Sequence, residues 1–360
     1  MRAPRYPLST LILGVLCAAL LCGCGSASGT KGGGTAAAHD GLRGQSGATL
    51  SPLPAALPHP VKATLILDFV PNAVHAGIYR ALAEGLYRRE GISLKVIEPS
   101  ETQDTLSLID AGKADFGLAD GSDVETLIAK GGDAQAIMAI AQRPLGGLIA
   151  RASEHLASPA QLQGKEVGIT GVPSDSAVLD TEVRAAGGTP SRVHVVTVGF
   201  NGAQALRAGR IAAFTGFWPA DGVELQVTGE PVRSFKLDQW GGPPYPGLVA
   251  FTTRHLIAAD PALVRDFVAA TVRGYQQTLR DPQASLSDLL KMNPEAQGNV
   301  ARASLAAYLP LFTEDGGVPF GTLQGTHVQA LSRWMVAHGL IGAPISFARY
   351  GTDRFLPPGG

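Results

Sequence analysis

From residue 61 onward, short apolar runs alternate with segments in which apolar residues recur every three or four positions. The runs have the length of buried strands, and the periodic segments have the spacing of amphipathic helices. Ala63–Leu67 is an apolar run, for example, and Ala76–Glu90 carries apolar residues at four-residue spacing before Gly91. Alternation of this kind predicts an α/β fold with parallel-rich sheets and helices on both faces.

The alternation restarts near residue 166, and after residue 252 the pattern is mostly helical. We predict strands over Ala63–Leu67, Ser93–Ile97, Ala114–Ala119, Ala134–Ala141, Glu166–Thr170, Val193–Val198, Ile211–Thr215 and Gly247–Thr252. The helical C-terminal part begins at the N-cap pair Asp260-Pro261. Two strand–helix sets followed by a helical part favour a binding protein with a cleft between two lobes.

The N-terminal segment has the pattern of an export signal. Two arginines precede the apolar run Leu8–Cys22, whose roughly 15 residues are short for a transmembrane helix. The run ends in Leu21-Cys22-Gly23-Cys24, which resembles a bacterial lipobox with Cys24 as the acceptor. We therefore predict a signal peptide over residues 1–23 and a lipidated Cys24. The alternative is an ordinary signal peptide in which Cys24 has no role.

Residues 24–60 are predicted to contain the lipidated cysteine and a flexible linker. Gly, Ala, Ser, Thr and Pro supply 26 of the 36 residues from 25 to 60, and such a composition does not nucleate a core. We interpret the segment as a tether between a membrane anchor and a globular body.

Charge and cysteine content exclude several classes of function. The 29 basic and 30 acidic residues give a net charge of −1, which argues against an electrostatically driven nucleic-acid-binding protein. All three cysteines lie within the first 24 residues, so the rest of the chain has none for disulfides, zinc sites or catalysis. No nucleotide-binding, metalloprotease or hydrolase motif occurs, and the eight histidines lack metal-ligand spacing. We therefore expect a binding protein without a metal or cofactor.

The segment that joins the first predicted strand to the first predicted helix has the character of a binding site. In open α/β sheets, ligands bind beyond the carboxyl ends of the strands. Leu67–Tyr79 places Phe69, Asn72 and His75 there, beside a helix N-terminus whose free N–H groups favour acceptors. The alternative is a capped turn, in which Asn72 satisfies the local backbone and His75 packs at the first helical turn.

The stretch Asp68-Phe69-x-Pro71-Asn72-x-x-His75-Ala76-Gly77-Ile78-Tyr79 resembles the signature of a family of ABC-importer binding proteins that capture pyrimidine precursors of thiamine. That family is similar in fold to the thiamine-pyrimidine synthases and to sulfonate-, nitrate- and taurine-binding proteins. The resemblance covers roughly residues 62–290. Its further matches are Gly112–Gly117, Gly164–Gly168, Val198–Phe200, Gly222–Leu225, Tyr245–Val249 and Arg273–Tyr275.

The resemblance implies a two-lobed periplasmic-binding-protein fold, type II-like, with the ligand held between the lobes. It places lobe 1 at residues 61–147 and 248–356, and lobe 2 at residues 148–247. The implied partners are a thiamine-type pyrimidine ligand and the permease subunits of an ABC importer. We expect a monomer outside the cytoplasm, anchored to a bacterial cell membrane by the lipid on Cys24.

With the resemblance in place, nine residues are candidates for ligand binding. They are Phe69, Asn72, His75, Gln142, Arg143, Ser174, Trp218, Glu224 and Tyr245. The three aromatic rings would stack on a heteroaromatic ligand, and core packing is the alternative for each. Glu224 would accept from an exocyclic amine and an adjacent ring N–H; the alternative is a solvated helix face. The glutamine and arginine end a buried strand at the expected crossover, and the serine begins a helix, where an N-cap is the alternative.

The sequence departs from the family at two positions. Phe69 stands where the family usually has Trp, which keeps an aromatic face and removes an indole donor. Asp175 stands where the family often has Glu. The leading hypothesis is a substrate-binding lipoprotein for a thiamine-type pyrimidine or a related heteroaromatic. The alternative is a binding protein for sulfonate or another small anion.

The related synthases carry features that this sequence lacks. They use a cysteine-rich iron-binding segment in the second half and a histidine in the helix after the Gly-Lys-x-Asp strand. Here no cysteine follows Cys24, and Gly121–Lys130 contains no histidine. We therefore do not expect an enzyme.

Overall fold

The computed structural model describes residues 42–45, 50–101, 103–313 and 317–358. The predicted signal peptide and the predicted lipidation site at Cys24 lie outside the described residues. Across these four ranges, no helix is both long enough and apolar enough to cross a membrane.

Ten strands and thirteen α-helices form in this part of the chain. The strands are β1 (Val61–Ile66), β2 (Ile92–Ile97), β3 (Phe116–Ala119), β4 (Gln135–Ala141), β5 (Gly146–Arg151), β6 (Glu166–Ile169), β7 (His194–Thr197), β8 (Ala213–Phe217), β9 (Val232–Lys236) and β10 (Leu248–Thr252). The helices are α1 (Ala76–Ala83), α2 (Leu86–Arg89), α3 (Asp104–Asp110), α4 (Gly121–Ala129), α5 (Asp175–Ala185), α6 (Gly202–Arg207), α7 (Val223–Val227), α8 (Arg254–Ala259), α9 (Pro261–Arg280), α10 (Pro282–Met292), α11 (Gly298–Phe312), α12 (Gly325–Ala337) and α13 (Phe347–Tyr350).

The strands form two five-stranded mixed sheets, with the orders β2-β1-β3-β10-β4 and β7-β6-β8-β5-β9. In the first sheet β1 is parallel to β2 and β3, and in the second β6 is parallel to β7 and β8. β10 and β5 are antiparallel to both of their neighbours. The chain crosses to the second sheet between Ala141 and Gly146 and returns between Lys236 and Leu248. The predicted two-lobed α/β fold is confirmed. The predicted boundary between the lobes, at residues 147/148, falls inside β5, and the lobe boundaries stay a prediction.

Secondary structure differs from the sequence pattern at three places. The helix predicted over Ala76–Glu90 is interrupted, because Gly85 between α1 and α2 has a φ of 67°. The pattern also predicts neither β5 nor β9. β5 opens on Gly146 and Gly147, and β9 contains charged residues, so neither reads as an apolar run.

The last part of the predicted linker packs on the first lobe. The buried Ser51 donates its backbone N–H to Gln276 Oε1 at 2.8 Å and accepts from Gln276 Nε2 at 2.8 Å. Leu53 and Leu57 pack against the core of that lobe. The prediction of a flexible linker therefore does not hold for this part, because its leucines find an apolar surface that composition alone does not reveal.

Helices α1 and α9 pack closely beside the first sheet. A Cβ at Gly77 would lie 2.3 Å from the Tyr275 ring, and a Cβ at Gly274 would lie 2.1 Å from the Gly77 carbonyl oxygen, so both positions require glycine. The Tyr275 hydroxyl also donates to the Val74 carbonyl at 2.7 Å. These contacts fix the segment after β1, which carries one wall of the cleft.

Candidate functional site

A cavity of about 140 Å³ lies between the two lobes, beyond the carboxyl ends of β1, β3, β6 and β8. Open α/β sheets bind ligands at this position. The aromatic residues of the wall are Phe69, Phe200, Phe214, Phe217 and Tyr245, and the acidic residues are Asp68, Asp120, Asp123, Asp175 and Asp221. Among the described residues that line the cavity there is no Lys, Arg or His.

Two aromatic residues meet across the cavity. Phe69 follows β1, Phe200 follows β7, and their ring centroids lie 4.7 Å apart with planes at 84°, an edge-to-face contact. Tyr245 is buried in the wall, where its hydroxyl donates to Asp120 Oδ2 at 3.3 Å and its ring stacks on Trp334 at 6.3 Å. Both lobes therefore contribute an aromatic surface to the site.

The segment after β1 forms a capped turn that orients Asp68. The Asn72 side chain accepts from Val74 N and donates to the Val70 carbonyl, both at 3.0 Å. The Asn72 backbone N–H donates to His75 Nδ1 at 3.1 Å, so the neutral imidazole carries its proton on Nε2. That nitrogen donates to Asp68 Oδ1 at 2.8 Å. His75 is fully buried and faces the site only through Asp68.

Two buried carboxyl groups lie at the start of α4. Asp120 caps the helix, and its Oδ1 accepts from Ser122 N at 2.8 Å and from the Ser122 hydroxyl at 2.6 Å. Burial raises the pKa of Asp120 to about 6. Asp123 accepts from the backbone N–H of Ser174, in the other lobe, at 3.2 Å. Burial and the carboxylates of Asp120 and Asp175 raise the pKa of Asp123 well above its usual value.

Asp175 holds the loop after β6. Its Oδ2 accepts from the Thr170 hydroxyl at 2.9 Å, from Gly171 N at 2.7 Å and from Val172 N at 3.1 Å. Its Oδ1 accepts from the Thr215 hydroxyl at 2.6 Å. Burial raises the pKa of Asp175, and these hydrogen bonds oppose that shift. Both oxygens of Asp175 therefore accept hydrogen bonds from the protein, and the carboxylate shapes the cavity wall.

Asp221 lies in a π-helical turn, Trp218–Gly222, that follows β8. Its Oδ2 accepts from Phe217 N at 2.9 Å. Burial raises the pKa of Asp221 to about 7, and the carboxylates of Glu224 and Asp68 act in the same direction. Because a π-helical turn has hydrogen bonds between residues five apart, its side chains point in different directions from those of an α-helix.

The structure brings four of the nine candidate residues to the cavity wall, namely Phe69, Asn72, Ser174 and Tyr245. In the first segment the Asn72 amide caps the turn while the residue lines the cavity, and its role in ligand binding stays a prediction. Ser174 makes no side-chain cap bond to α5, and its backbone N–H reaches Asp123 instead.

Glu224 does not line the cavity. Its side chain is 39% exposed and pairs with Arg207 Nη2 at 3.3 Å, on the outer face of α7. The carboxylate that this segment contributes to the cavity wall is that of Asp221. The two-point contact expected of Glu224 is therefore not available there, because the π-helical turn presents the earlier residue.

Three further candidates lie away from the cleft. Trp218 and Arg143 line a second cavity, formed where the chain crosses between the sheets. Lys236 Nζ lies 3.4 Å from the centroid of the Trp218 ring, and Arg143 Nη2 pairs with Asp238. Gln142 is buried beside α11, and its backbone N–H donates to the Leu311 carbonyl at 2.7 Å.

Sequence reasoning did not select the five aspartates or Phe200. A signal for some of them was present, since Asp68 and Asp120 stand within two residues of the ends of β1 and β3. Asp175 stood out only as a departure from the family. Asp123 carries no comparable signal, because its place in the site depends on the contact between lobes.

The fold defines the class of protein. The alkanesulfonate-binding protein SsuA of Xanthomonas axonopodis pv. citri superposes with a TM-score of 0.66 at 16% identity, covering 82% of this chain and 99% of that chain. The nitrate-binding protein NrtA of Synechocystis PCC 6803 has a TM-score of 0.62 at 11% identity, covering 82% and 87%. The chain therefore has the fold of the periplasmic binding proteins.

The family described as NMT1/THI5 like matches residues 72–285, and the chain belongs to that family. The formylaminopyrimidine-binding protein of Halalkalibacterium halodurans is 27% identical over 286 residues, 78% of this chain and 86% of that protein. The riboflavin-binding protein RibY of Chloroflexus aurantiacus is 29% identical over 321 residues, 86% and 90%. The 4-amino-5-hydroxymethyl-2-methylpyrimidine phosphate synthase of Legionella pneumophila is 28% identical over 258 residues, 70% and 80%. The predicted resemblance is confirmed, and the relatives include both binding proteins and synthases.

Proposed function

We propose that this chain is the substrate-binding subunit of an ABC importer and captures a pyrimidine-type heteroaromatic in the cleft between its lobes. The observation that carries the proposal is the composition of the cavity wall, in which aromatic rings and five aspartates occur without a basic side chain among the described residues. Two relatives are named for binding formylaminopyrimidine and riboflavin, which are heteroaromatic molecules.

The charge of the wall separates this ligand class from the anion alternative. A sulfonate carries a negative charge and no hydrogen-bond donor, so a wall of carboxylates repels it and burial adds a desolvation cost. An aminopyrimidine brings N–H donors for the carboxylates and a π-face for Phe69 and Phe200. The sulfonate- and nitrate-binding proteins therefore share their fold with this chain, but the likeness does not support a sulfonate or a nitrate as its ligand.

A binding role fits this chain better than the chemistry of its synthase relatives. The cysteine-rich segment and the histidine that the resemblance assigns to the synthases have no counterpart here. No cysteine follows Cys24, and α4, the helix after β3, contains no histidine. The chain thus keeps the ligand cleft of the family and lacks the side chains assigned to the reaction.

Mass spectrometry of small molecules released from the denatured purified protein tests this function, followed by calorimetric titration of the ligand-free protein. We expect a formylaminopyrimidine to bind and an alkanesulfonate to give no heat of binding. Riboflavin serves as a third titrant because one relative is named for it. Binding of the sulfonate alone would contradict the proposal, and binding of riboflavin alone would replace the pyrimidine with a larger heteroaromatic.

We further propose that the protein is a monomer outside the cytoplasm, anchored by a lipid on Cys24 and received by permease subunits. Cys24→Ala should move it from the membrane fraction to the soluble fraction, because single acyl-bearing residues act as separable anchors. Cys22→Ala is the matched control and should stay with membranes. Wild-type protein whose N-terminal peptide carries no lipid mass would contradict the anchor.

A further inference from the structure

Helices α5 and α12 are in contact, although each packs on a different sheet. α5 packs on β5 and β8 of the second sheet, whereas α12 packs on α4 and shares an apolar cluster with β10 of the first sheet. Val178 of α5 belongs to the same cluster as Leu331 and Trp334 of α12. Because Asp175 and Val178 of α5 also line the cavity, the contact between the two helices holds one wall of the cleft against the first sheet.

A chain of hydrogen bonds joins the two helices beside this cluster. Trp334 Nε1 donates to Thr181 Oγ1 at 2.9 Å, and the same oxygen lies 2.9 Å from Nε2 of His338, at the end of α12. His338 Nδ1 lies 3.3 Å from Asp180 Oδ2. Thr181 is buried, and the His338 side chain is mostly buried, so the chain of hydrogen bonds is largely shielded from water.

The neutral ring of His338 fits this chain of hydrogen bonds. The Asp180 carboxylate is an acceptor, so Nδ1 carries the ring proton and Nε2 accepts from the Thr181 hydroxyl. Trp334 donates to that hydroxyl, and no other described residue accepts from it. Protonation of Nε2 therefore replaces the acceptor of the Thr181 hydrogen with a second donor, which leaves that hydrogen without a partner.

The charges around His338 act in opposite directions, and burial outweighs both. Asp180 favours the charged ring, whereas Arg184, one helical turn further along α5, disfavours it. From α12 the ring meets the uncharged indole of Trp334, with centroids 5.2 Å apart. Burial lowers the pKa of His338 below its ordinary value. The neutral ring therefore stabilises the contact at pH values above the ordinary histidine pKa of about 6.5, and this stabilisation is lost as the pH falls below it.

We propose that His338 is a pH-sensitive switch at the contact between α5 and α12, which holds the helices together as a neutral ring and releases them when it is protonated. A fall in pH then loosens the helix that carries Asp175 and Val178 of the cavity wall. The release depends on the ring of His338 and not on the identity of the ligand, so it is tested in ligand-free protein.

Hydrogen exchange measured by mass spectrometry tests the release, with α5 and α12 compared at a pH of about 7.5 and a pH of about 5 after correction for intrinsic exchange rates. His338→Gln keeps an amide donor and acceptor and does not titrate. On acidification, the protection of both helices should fall in wild type relative to His338→Gln, by up to about 30-fold for a ring that stays neutral in the contact. The comparison with the variant cancels the titration of the buried carboxyl groups.

His194→Gln is the matched control, because His194 is exposed on β7 of the second sheet, and it should keep the wild-type response. In an NMR titration of wild type, the pKa of His338 should lie below its ordinary value, and Asp180→Asn should lower it further.

Three results overturn the switch. The first is an equal pH dependence of protection in wild type and His338→Gln. The second is a contact that becomes more protected on acidification, since the ion pair with Asp180 then dominates. The third is a His338 pKa at or above its ordinary value, which the NMR titration detects in wild type even where His338→Gln does not fold. Each of them leaves the proposed function standing, because none involves the ligand.

Discussion

The cleft and the second cavity are built by the same two lobes, yet they hold charge in different ways. The cleft has five aspartates and no basic residue in its described lining. In the second cavity Arg143 pairs with Asp238, and Lys236 lies over Trp218. The cationic side chains there face a carboxylate or an aromatic ring of the protein, whereas the described lining of the cleft carries charge of one sign only. The difference teaches that a surplus of one kind of hydrogen-bonding group, rather than a cavity alone, marks the site that a ligand completes.

The largest difference between the two regions should appear on removing a carboxylate. Asp175→Ala removes the shared acceptor of four donors, of which the Thr215 hydroxyl is buried, and should lower the free energy of unfolding by roughly 1.5–3 kcal/mol. Asp238→Ala removes the partner of Arg143, whose side chain is 49% exposed, and should cost at most about 1 kcal/mol. Urea denaturation measures both. Equal losses of unfolding free energy in the two variants would contradict the difference between the cleft and the second cavity.

The buried carboxyl groups also predict a pH dependence. Burial raises the pKa of Asp120 to about 6 and the pKa values of Asp221 and Glu125 to about 7. Between pH of about 4 and 7 the folded state therefore holds protons that the unfolded chain releases, so the free energy of unfolding falls as pH rises. Thermal denaturation of ligand-free protein across this range measures the trend, and Asp221→Asn should reduce its slope. A stability that increases through this window would contradict the assignment.

A smaller effect is expected from His75, whose Nε2 donates to Asp68 in the cavity wall. His75→Phe should weaken the binding of a formylaminopyrimidine by roughly 2–13-fold, because Asp68 loses the hydrogen bond that orients it. His75→Gln retains an N–H donor and should recover part of the affinity. In an Asp68→Asn background the His75→Phe change should add little, since the two residues act as one unit. Additive losses in the double variant would show that His75 acts independently of Asp68.

The smallest effect should come from the second cavity. Lys236→Met keeps an aliphatic chain over Trp218 and removes the cation, which should cost no more than about 1 kcal/mol of stability. The affinity for a formylaminopyrimidine should stay as in wild type, because Lys236 does not line the cleft. Calorimetry on the variant checks this. A clear loss of affinity would show that the second cavity contributes to ligand binding.

The fold was predictable where it depends on local periodicity. The parallel strands β3 and β6 fall within runs that the sequence pattern predicts, β1 overlaps its predicted run, and the cavity lies at the carboxyl ends of all three. β5 and β9 could not be predicted in this way, because they are antiparallel partners whose burial depends on neighbouring strands. The division of the first helix depends on a positive φ at Gly85, which a four-residue spacing does not show.

The candidate site was predictable only in part. Phe69 and Tyr245 were selected because they follow apparent strands, and both line the cavity. Glu224 was selected from the Gly222–Leu225 match and its carboxylate, whereas the π-helical turn before α7 brings Asp221 to the wall. Asp123 enters the site through a contact with the other lobe, and contacts between distant segments leave no trace in local periodicity.

A crystal structure of the protein with a formylaminopyrimidine tests the central claim most directly. The account predicts the ring in the cleft against Phe69 and Phe200, with an N–H donor of the ligand within about 3.2 Å of a carboxylate oxygen of the wall. A ring bound in the second cavity against Trp218, or a ring in the cleft whose donors reach no carboxylate of the wall, would contradict it.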